Sequence, residues 1–387
     1  MQHNQALPTF PGRFRRLLDR VRGPWRRKAN APAQPAELAV DIRGLIASND
    51  EAATAARPRT LALALQGGGA HGAFTWGVLD RLLEEPGLEI PAISGSSAGA
   101  LNAAALAAGH LEGGADGARR RLAELWQGVA DLARSSPLRA ASGWSPSQLF
   151  FDFATRFFSP YQMNPLGHNP LRDLLDPLID FERLKAREAI RLFVAATNVE
   201  TGAARIFTNA EITLDVMLAS ACLPTLHQAV KLDDGYYWDG GFTANPPLLP
   251  LVEASEASDL LLVRLDPSHE GGLPRTSQAI ADRLNHIVIG APLKAELGAV
   301  AALQRMAAEA GVAPGPVGRR MAALRLHSVG DDALMRKLGP RSRLVPDRKL
   351  VQELHAAGRR SAGQWLADGS FLDGKADLPR RQALPSN

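Results

Sequence analysis

The sequence predicts an α/β protein with a largely parallel central sheet flanked by helices. Short apolar runs of strand length alternate with longer helical patterns from Arg59 onward. Two of those runs end in glycine-rich turns that open a helix, at Gln66–Gly72 and Gly95–Gly99. A chain of 387 residues, 45% hydrophobic and 22% charged, can bury such a sheet on both faces.

The strands are read, in order, at TLALALQ (60–66), IPAIS (90–94), RLFVAATNV (191–199), ARIFTN (204–209), YYWDGG (236–241), LLLVRLDP (260–267) and LRLHSVG (324–330). Helical patterns fall around Phe74–Glu85, from Ser97 to about Gly109, and over 116–133, 274–311 and 348–367. No internal repeat is evident. Residues 144–161 hold seven of the 22 aromatic residues and read either as an apolar cap or as an ordinary core helix.

The termini differ in composition from this body. Residues 1–28 carry eight Lys or Arg and one acid, Asp19, leaving 36 bases against 39 acids elsewhere, so the net charge of +4 belongs to the tail. Within it Phe10, Phe14, Leu17, Leu18, Val21 and Trp25 fall on one helical face among arginines. Such a segment fits a peripheral membrane contact through 10–28, a solvated tail, or a helix docked on the body. The body is not basic, so no nucleic-acid partner is expected. Residues 29–57 are rich in Ala and Pro and read as a linker. No signal-peptide pattern and no run of eighteen apolar residues stands out, so a cytoplasmic location, peripheral to membranes at most, is expected.

Cys222 is the single cysteine, which rules out a disulfide within the chain and suggests a buried structural thiol. Neither H-E-x-x-H nor an EF-hand pattern occurs, and the nine histidines are scattered, so no metal and no cofactor is expected.

Three segments carry chemistry. Gly95-Ser96-Ser97-Ala98-Gly99 is a G-x-S-x-G between a strand and an Ala-rich helix, where small neighbours permit the sharp turn that exposes the Ser97 hydroxyl. Gln66-Gly67-Gly68-Gly69-Ala70-His71-Gly72 follows a strand and leaves backbone N–H groups open, suiting an oxyanion hole or a phosphate cradle. It also spells the dinucleotide fingerprint, but the next strand ends in Ser94-Gly95-Ser96-Ser97, where a ribose-binding acid is required. No Lys-Ser or Lys-Thr follows to make a Walker loop. Asp239-Gly240-Gly241, at a strand end, fits a site carboxylate or a plain turn.

In this order, GGGAHG (67–72), GSSAG (95–99) and DGG (239–241) resemble the patatin-like phospholipase family, and 194–209 and 217–230 resemble the stretches between. The resemblance covers about 59–265 well and implies a three-layer patatin-like fold, with a catalytic domain over 58–370 between the tail 1–57 and a C-terminal tail 371–387. It further implies a lipid acyl-ester substrate of the phospholipase A or lysophospholipase type. Ser97 would be the nucleophile and Asp239 its base, with N–H groups of Gly67, Gly68 and Gly69 as the oxyanion hole. Gly95, Gly99, Gly240 and His71 would support them. His71 stands where the family has Arg or Lys, which puts a fixed cation there in question.

Esterase or intracellular polyester depolymerase chemistry on the same fold, and a non-catalytic lipid-binding protein, are the alternatives. A Ser-Asp-His triad would need a later histidine, His269, His286, His327 or His355, and none stands in a telling context. Oligomeric state is not legible.

Overall fold

A computed structural model of the chain describes residues 59–135, 158–255, 257–310, 315–369 and Phe371. The segment 10–28, the linker 29–57, all of 144–161 but its last four residues, and the C-terminal tail beyond Phe371 lie outside the described residues.

The central sheet grows from β1 (Arg59–Leu65), whose alternate side chains enter two different apolar layers. Leu61, Leu63 and Leu65 face one layer, and Ala62 and Ala64 face the other. This is the two-sided burial that a near-continuous apolar strand requires. On either side of β1 lie β3 (Ala92–Ser96) and β8 (Asp259–Val263), both parallel to it. Beyond β3 comes the parallel β4 (Arg191–Asn198), and beyond β8 the parallel β9 (Arg325–Val329). A two-residue β2 (Leu88–Glu89) pairs with β1. Three antiparallel strands, β5 (Ala204–Thr208), β6 (Val230–Leu232) and β7 (Gly235–Asp239), complete the β4 side. The order along the sheet is β6-β7-β4-β3-β1-β8-β9, so the parallel part is the expected one and the antiparallel margin adds to it.

Helices cover both faces. On the larger layer lie α1 (Gly72–Leu82), α2 (Ala98–Ser135) and, further along the chain, α5 (Arg348–Ala367). The backbone of α2 leaves helical geometry at Gly113 and Gly114, which accounts for the two separate helical patterns in the sequence. The short α3 (Leu214–Ser220) packs beside β4 on the same layer. The opposite layer is thinner, built from the helix Leu249–Ala254 and from Leu293 and Val300 of α4 (Ser277–Ala310). By length and composition α4 is apolar enough to cross a membrane, a property the search for uninterrupted apolar runs missed because charged residues punctuate it.

α1 and α5 approach so closely that glycine is required on both. A Cβ on Gly77 would lie 2.0 Å from the His355 carbonyl oxygen, and one on Gly358 would lie 2.0 Å from that of Phe74. Asp80 locks the pair from one side through Arg359, His355 (3.3 Å) and, from α2, Arg119 (2.6 Å). Burial pushes the Asp80 carboxyl up, but the hydrogen bonds from His355, Arg119 and Arg359 outweigh it and hold it well below the usual carboxylate range.

Replacing Gly77 by Ala forces these helices apart and is expected to lower stability by about 1–3 kcal/mol. A urea unfolding midpoint unchanged from wild type would contradict the packing described.

Candidate active site

The three motif segments meet at the carboxyl ends of the parallel strands, where open α/β sheets form their crevices. β1 delivers the glycine loop, β3 delivers Ser96–Gly99 and β7 delivers Asp239–Gly241. The meeting of the last two is set by register on β4: Ser96 pairs with Ala195, and Asp239 pairs with the next residue, Ala196. Ser97, one residue past Ser96, is thereby brought up to the Asp239 carboxyl.

Ser97 has φ 54°, and no other described residue except glycine adopts a positive φ. That conformation costs a non-glycine residue on the order of 1–2 kcal/mol and is held here by its surroundings. Its N–H donates to Ser220 Oγ at 3.0 Å, and the Ser220 hydroxyl donates to the Ala195 carbonyl at 2.7 Å. The Ser97 carbonyl accepts from Leu101 N at 3.0 Å, opening α2 directly after the turn. Ser96 fastens the same turn by donating to the Ala244 carbonyl. Gly99 is required by close approach, since a Cβ there would lie 2.1 Å from the Leu65 carbonyl oxygen; a Cβ on Gly95 would lie 2.6 Å from the Gly99 carbonyl carbon. Gly240 would likewise bring a Cβ within 2.1 Å of the Ala195 carbonyl.

Asp239 is buried, 4% exposed. Its Oδ1 accepts from Gly241 N at 2.7 Å. Its backbone is pinned by Asp239 N–H to the Cys222 carbonyl at 2.8 Å and by the Thr197 hydroxyl to the Asp239 carbonyl at 2.7 Å. Burial raises the carboxyl pKa to about 6, against the opposing pull of the Ser97 hydroxyl and Gly241 N–H. The Ser97 hydroxyl is close enough to favour the charged form, yet Oδ2 accepts no well-aligned hydrogen bond. Unliganded catalytic pairs commonly stand near one another in this way and tighten only around substrate.

The glycine loop passes directly over Ser97: a Cβ on Gly67 would lie 2.9 Å from Ser97 Cβ. The Gly67 N–H, however, donates to Asn245 Oδ1 at 2.7 Å, so of the three glycines expected to line an oxyanion hole this one is already engaged. No protein group among the described residues accepts from the N–H groups of Gly68 or Gly69. Asn245 is itself buried, and with Oδ1 facing Gly67 its Nδ2 donor is left without a partner.

His71 does not reach the Ser97–Asp239 pair. It is buried against the turn Pro340–Leu344, with Nε2 2.7 Å from Ser342 Oγ, and the Ser342 hydroxyl donates onward to the Gly339 carbonyl at 2.9 Å. Burial, aided by the nearby Arg343 guanidinium and opposed by Asp266, lowers its pKa to about 3, so the ring is neutral. The fixed cation beside the loop is Arg343, which pairs with Asp266 and donates to the Leu265 carbonyl at 3.3 Å. Asp266 in turn accepts from Gln66 Nε2 at 2.9 Å, tying the end of β8 to the start of the glycine loop.

Of the four later histidines, three are engaged elsewhere. His327 meets Asp259 at 2.8 Å, His355 meets Asp80, and His286 lies 3.7 Å from Asp266. None of these contacts involves Asp239. Cys222 is buried, its thiol pushed up to about 12 by burial and the Asp239 carboxylate, and it donates to the Gln228 carbonyl at 3.1 Å. Among the described residues no group of three or more His, Cys, Asp or Glu is placed to hold a metal ion. A cavity of about 310 Å³ between α4 and the 335–343 region is lined by Arg343 and His286 but by neither Ser97 nor Asp239, so the paired residues do not lie in it.

Sequence reading missed Ser220, Asn245 and Thr197. Ser220 lies in 217–230 and Thr197 in 194–209, stretches already singled out, but nothing local assigns either a role, and Asn245 reads as an ordinary polar loop residue after the DGG turn.

Comparison with known proteins places residues 63–252 within the sequence profile described as Patatin-like phospholipase. No curated protein matches. Among solved structures, VipD from Legionella pneumophila is similar over 80% of this chain and 67% of its own, with 16% identity and a TM-score of 0.34.

The raised Asp239 pKa has a sign that can be measured. The native state binds the proton more tightly than the unfolded chain, so stability falls as pH rises from about 4 to about 6 and is level above. Asp239→Asn removes this dependence. Its stability relative to wild type is expected to be greater at pH 7.5 than at pH 4, by on the order of 3 kcal/mol; equal differences at the two pH values would contradict the buried, proton-retaining carboxyl.

Proposed function

Because the chain belongs to the patatin-like phospholipase family, whose members are lipid acyl hydrolases, we propose that it cleaves the acyl ester of a lipid through a Ser97–Asp239 dyad. The observation that carries this reading is the pairing of a strained, half-exposed Ser97 with a buried carboxylate that has one oxygen unengaged. Ser97 Oγ attacks the ester carbonyl while Asp239 Oδ2 takes its proton. The N–H groups of Gly68 and Gly69 receive the developing oxyanion, with the positive end of α2 adding its field at the same turn. The tetrahedral intermediate collapses as the ester C–O bond breaks, the alcohol or lysolipid leaving with the proton Asp239 held and the acyl group staying on Ser97 Oγ. Water, deprotonated by the same carboxylate, then releases the fatty acid and restores Ser97. Two donors in the hole, each worth about 2.7–4 kcal/mol of barrier, do what a weak carboxylate base cannot do alone. Asn245 acts as a positioning residue, holding Gly67 so that the next two N–H groups face the reaction. A phospholipase A or lysophospholipase substrate is the type favoured by the family.

The experiment is hydrolysis of a p-nitrophenyl ester and of a phospholipid by wild type, Ser97→Ala, Asp239→Asn and His71→Ala across pH. Both dyad variants are expected to lose about 10³-fold or more in kcat/KM while remaining folded. Wild-type activity should rise with pH through an apparent pKa of about 6, the Asp239 value. His71→Ala should retain the same pH profile, because a neutral buried ring contributes no titration there. Near-normal activity of Asp239→Asn would sink the dyad.

A further inference from the structure

The loop that follows Asp239 is fastened at both ends. It runs from the turn Gly240–Phe242 through Asn245-Pro246-Pro247-Leu248 into the helix Leu249–Ala254. Its middle faces the site, where the Ala244 carbonyl accepts from Ser96 Oγ and Asn245 Oδ1 accepts from Gly67 N. Its far end faces α4, where Glu296 Oε2 accepts from Leu248 N at 2.6 Å and from Leu249 N at 3.1 Å.

Among the described residues these two N–H groups are the only partners of the Glu296 carboxylate, and no cation pairs with it. Burial pushes its carboxyl up, against the two donors that favour the charged form. Such an acid is costly beside Leu293 and Val300, which carry the inner face of α4 into the thinner apolar layer. The loop end, in turn, has no acceptor of its own. Leu248 stands at the N-cap of the following helix and has no side-chain oxygen, so the acid from α4 takes the first donors there.

Asn245 depends on that anchor. Its side chain is buried, yet Oδ1 meets only Gly67 and Nδ2 has no partner, so the carboxamide is placed by its own backbone. Between Asn245 and the anchored Leu248 stand only Pro246 and Pro247, whose rings fix φ. A shift at Leu248 is therefore passed to Asn245 rather than absorbed between them. Gly67 follows Asn245, and Gly68 and Gly69 are the next residues of the same loop.

We propose that Glu296 is a positioning residue of the site: by holding Leu248 and Leu249 it sets Asn245, and through Asn245 the glycine loop over Ser97. α4 lies beyond the residues 63–252 that match the family, so this brace comes from outside the matched segment. That the braced loop serves as an oxyanion hole rests on the hydrolase reading above; that Glu296 sets it does not.

The test follows amide hydrogen exchange by NMR in the full chain, for wild type, Glu296→Ala, Glu296→Gln and Val300→Ala. Leu63, in the middle of the sheet on β1, measures general opening. Val300, fully buried one turn along α4, loosens the same helix without removing the anchor. Glu296→Ala should speed exchange of the Gly67 amide at least about tenfold relative to Leu63. Glu296→Gln keeps an acceptor oxygen and should stay within about threefold of wild type. Val300→Ala should move both amides together. On a p-nitrophenyl ester, Glu296→Ala should lose about tenfold to a hundredfold in kcat with KM little changed, while Val300→Ala keeps the wild-type kcat. If Glu296→Ala does not fold, Glu296→Asp, one methylene shorter, carries the same expectations. Unchanged exchange of Gly67 relative to Leu63, or an equal loss of kcat in Val300→Ala, would overturn the assignment. Faster Gly67 exchange in a protein that hydrolyses no ester would leave the brace standing and remove only the hydrolase reading.

Discussion

Two adjacent residues of β4 organise the candidate site. Ala195 pairs with Ser96, the last residue of β3, and Ala196 pairs with Asp239, the last residue of β7, so a parallel and an antiparallel strand end at neighbouring positions on one backbone. The same stretch supplies two more fixings: the Ala195 carbonyl accepts from Ser220, which holds Ser97 N–H, and it crowds Gly240 so that no side chain fits there. The cost of the left-handed Ser97 backbone is met by these contacts, made from β4 and from the end of α3. The placing of Ser97 is therefore a consequence of strand register.

The glycine loop is positioned from two other directions. Asn245 engages Gly67 on the side of the dyad, and Gln66 with Asp266 and Arg343 ties the loop root to β8 and to a turn some eighty residues later in sequence. Among the described residues nothing accepts from the Gly68 and Gly69 N–H groups, while that of Gly67 is committed. His71 is a neutral packing residue, and the nearby positive charge comes from Arg343.

Much of this was legible in the sequence because it is local. The strand–turn–helix context of GSSAG, the glycine run after TLALAL and the acid at the end of YYW each show within a few residues, and strand-helix alternation gave the parallel core. The antiparallel margin of β5 to β7 was not legible, since direction depends on tertiary pairing and the segments themselves look like any short strand. Nor were Ser220, Asn245 and Thr197, whose roles exist only once distant strands are in contact. The engagement of Gly67 escaped for the same reason, because a run of three glycines reads alike at each position. The α4 helix was anticipated as a helix, but the contact of Glu296 with Leu248 and Leu249 depends on which side of it meets the body.

The most direct measurement is the crystal structure of the chain after reaction with a long-chain alkyl fluorophosphonate, a mimic of the tetrahedral intermediate. A covalent bond from phosphorus to Ser97 Oγ is expected, with the phosphoryl oxygen within hydrogen-bond reach of the Gly68 and Gly69 N–H groups and Asp239 Oδ2 facing Ser97 Oγ. An adduct on any other residue, or a phosphoryl oxygen turned away from the glycine loop, would contradict it.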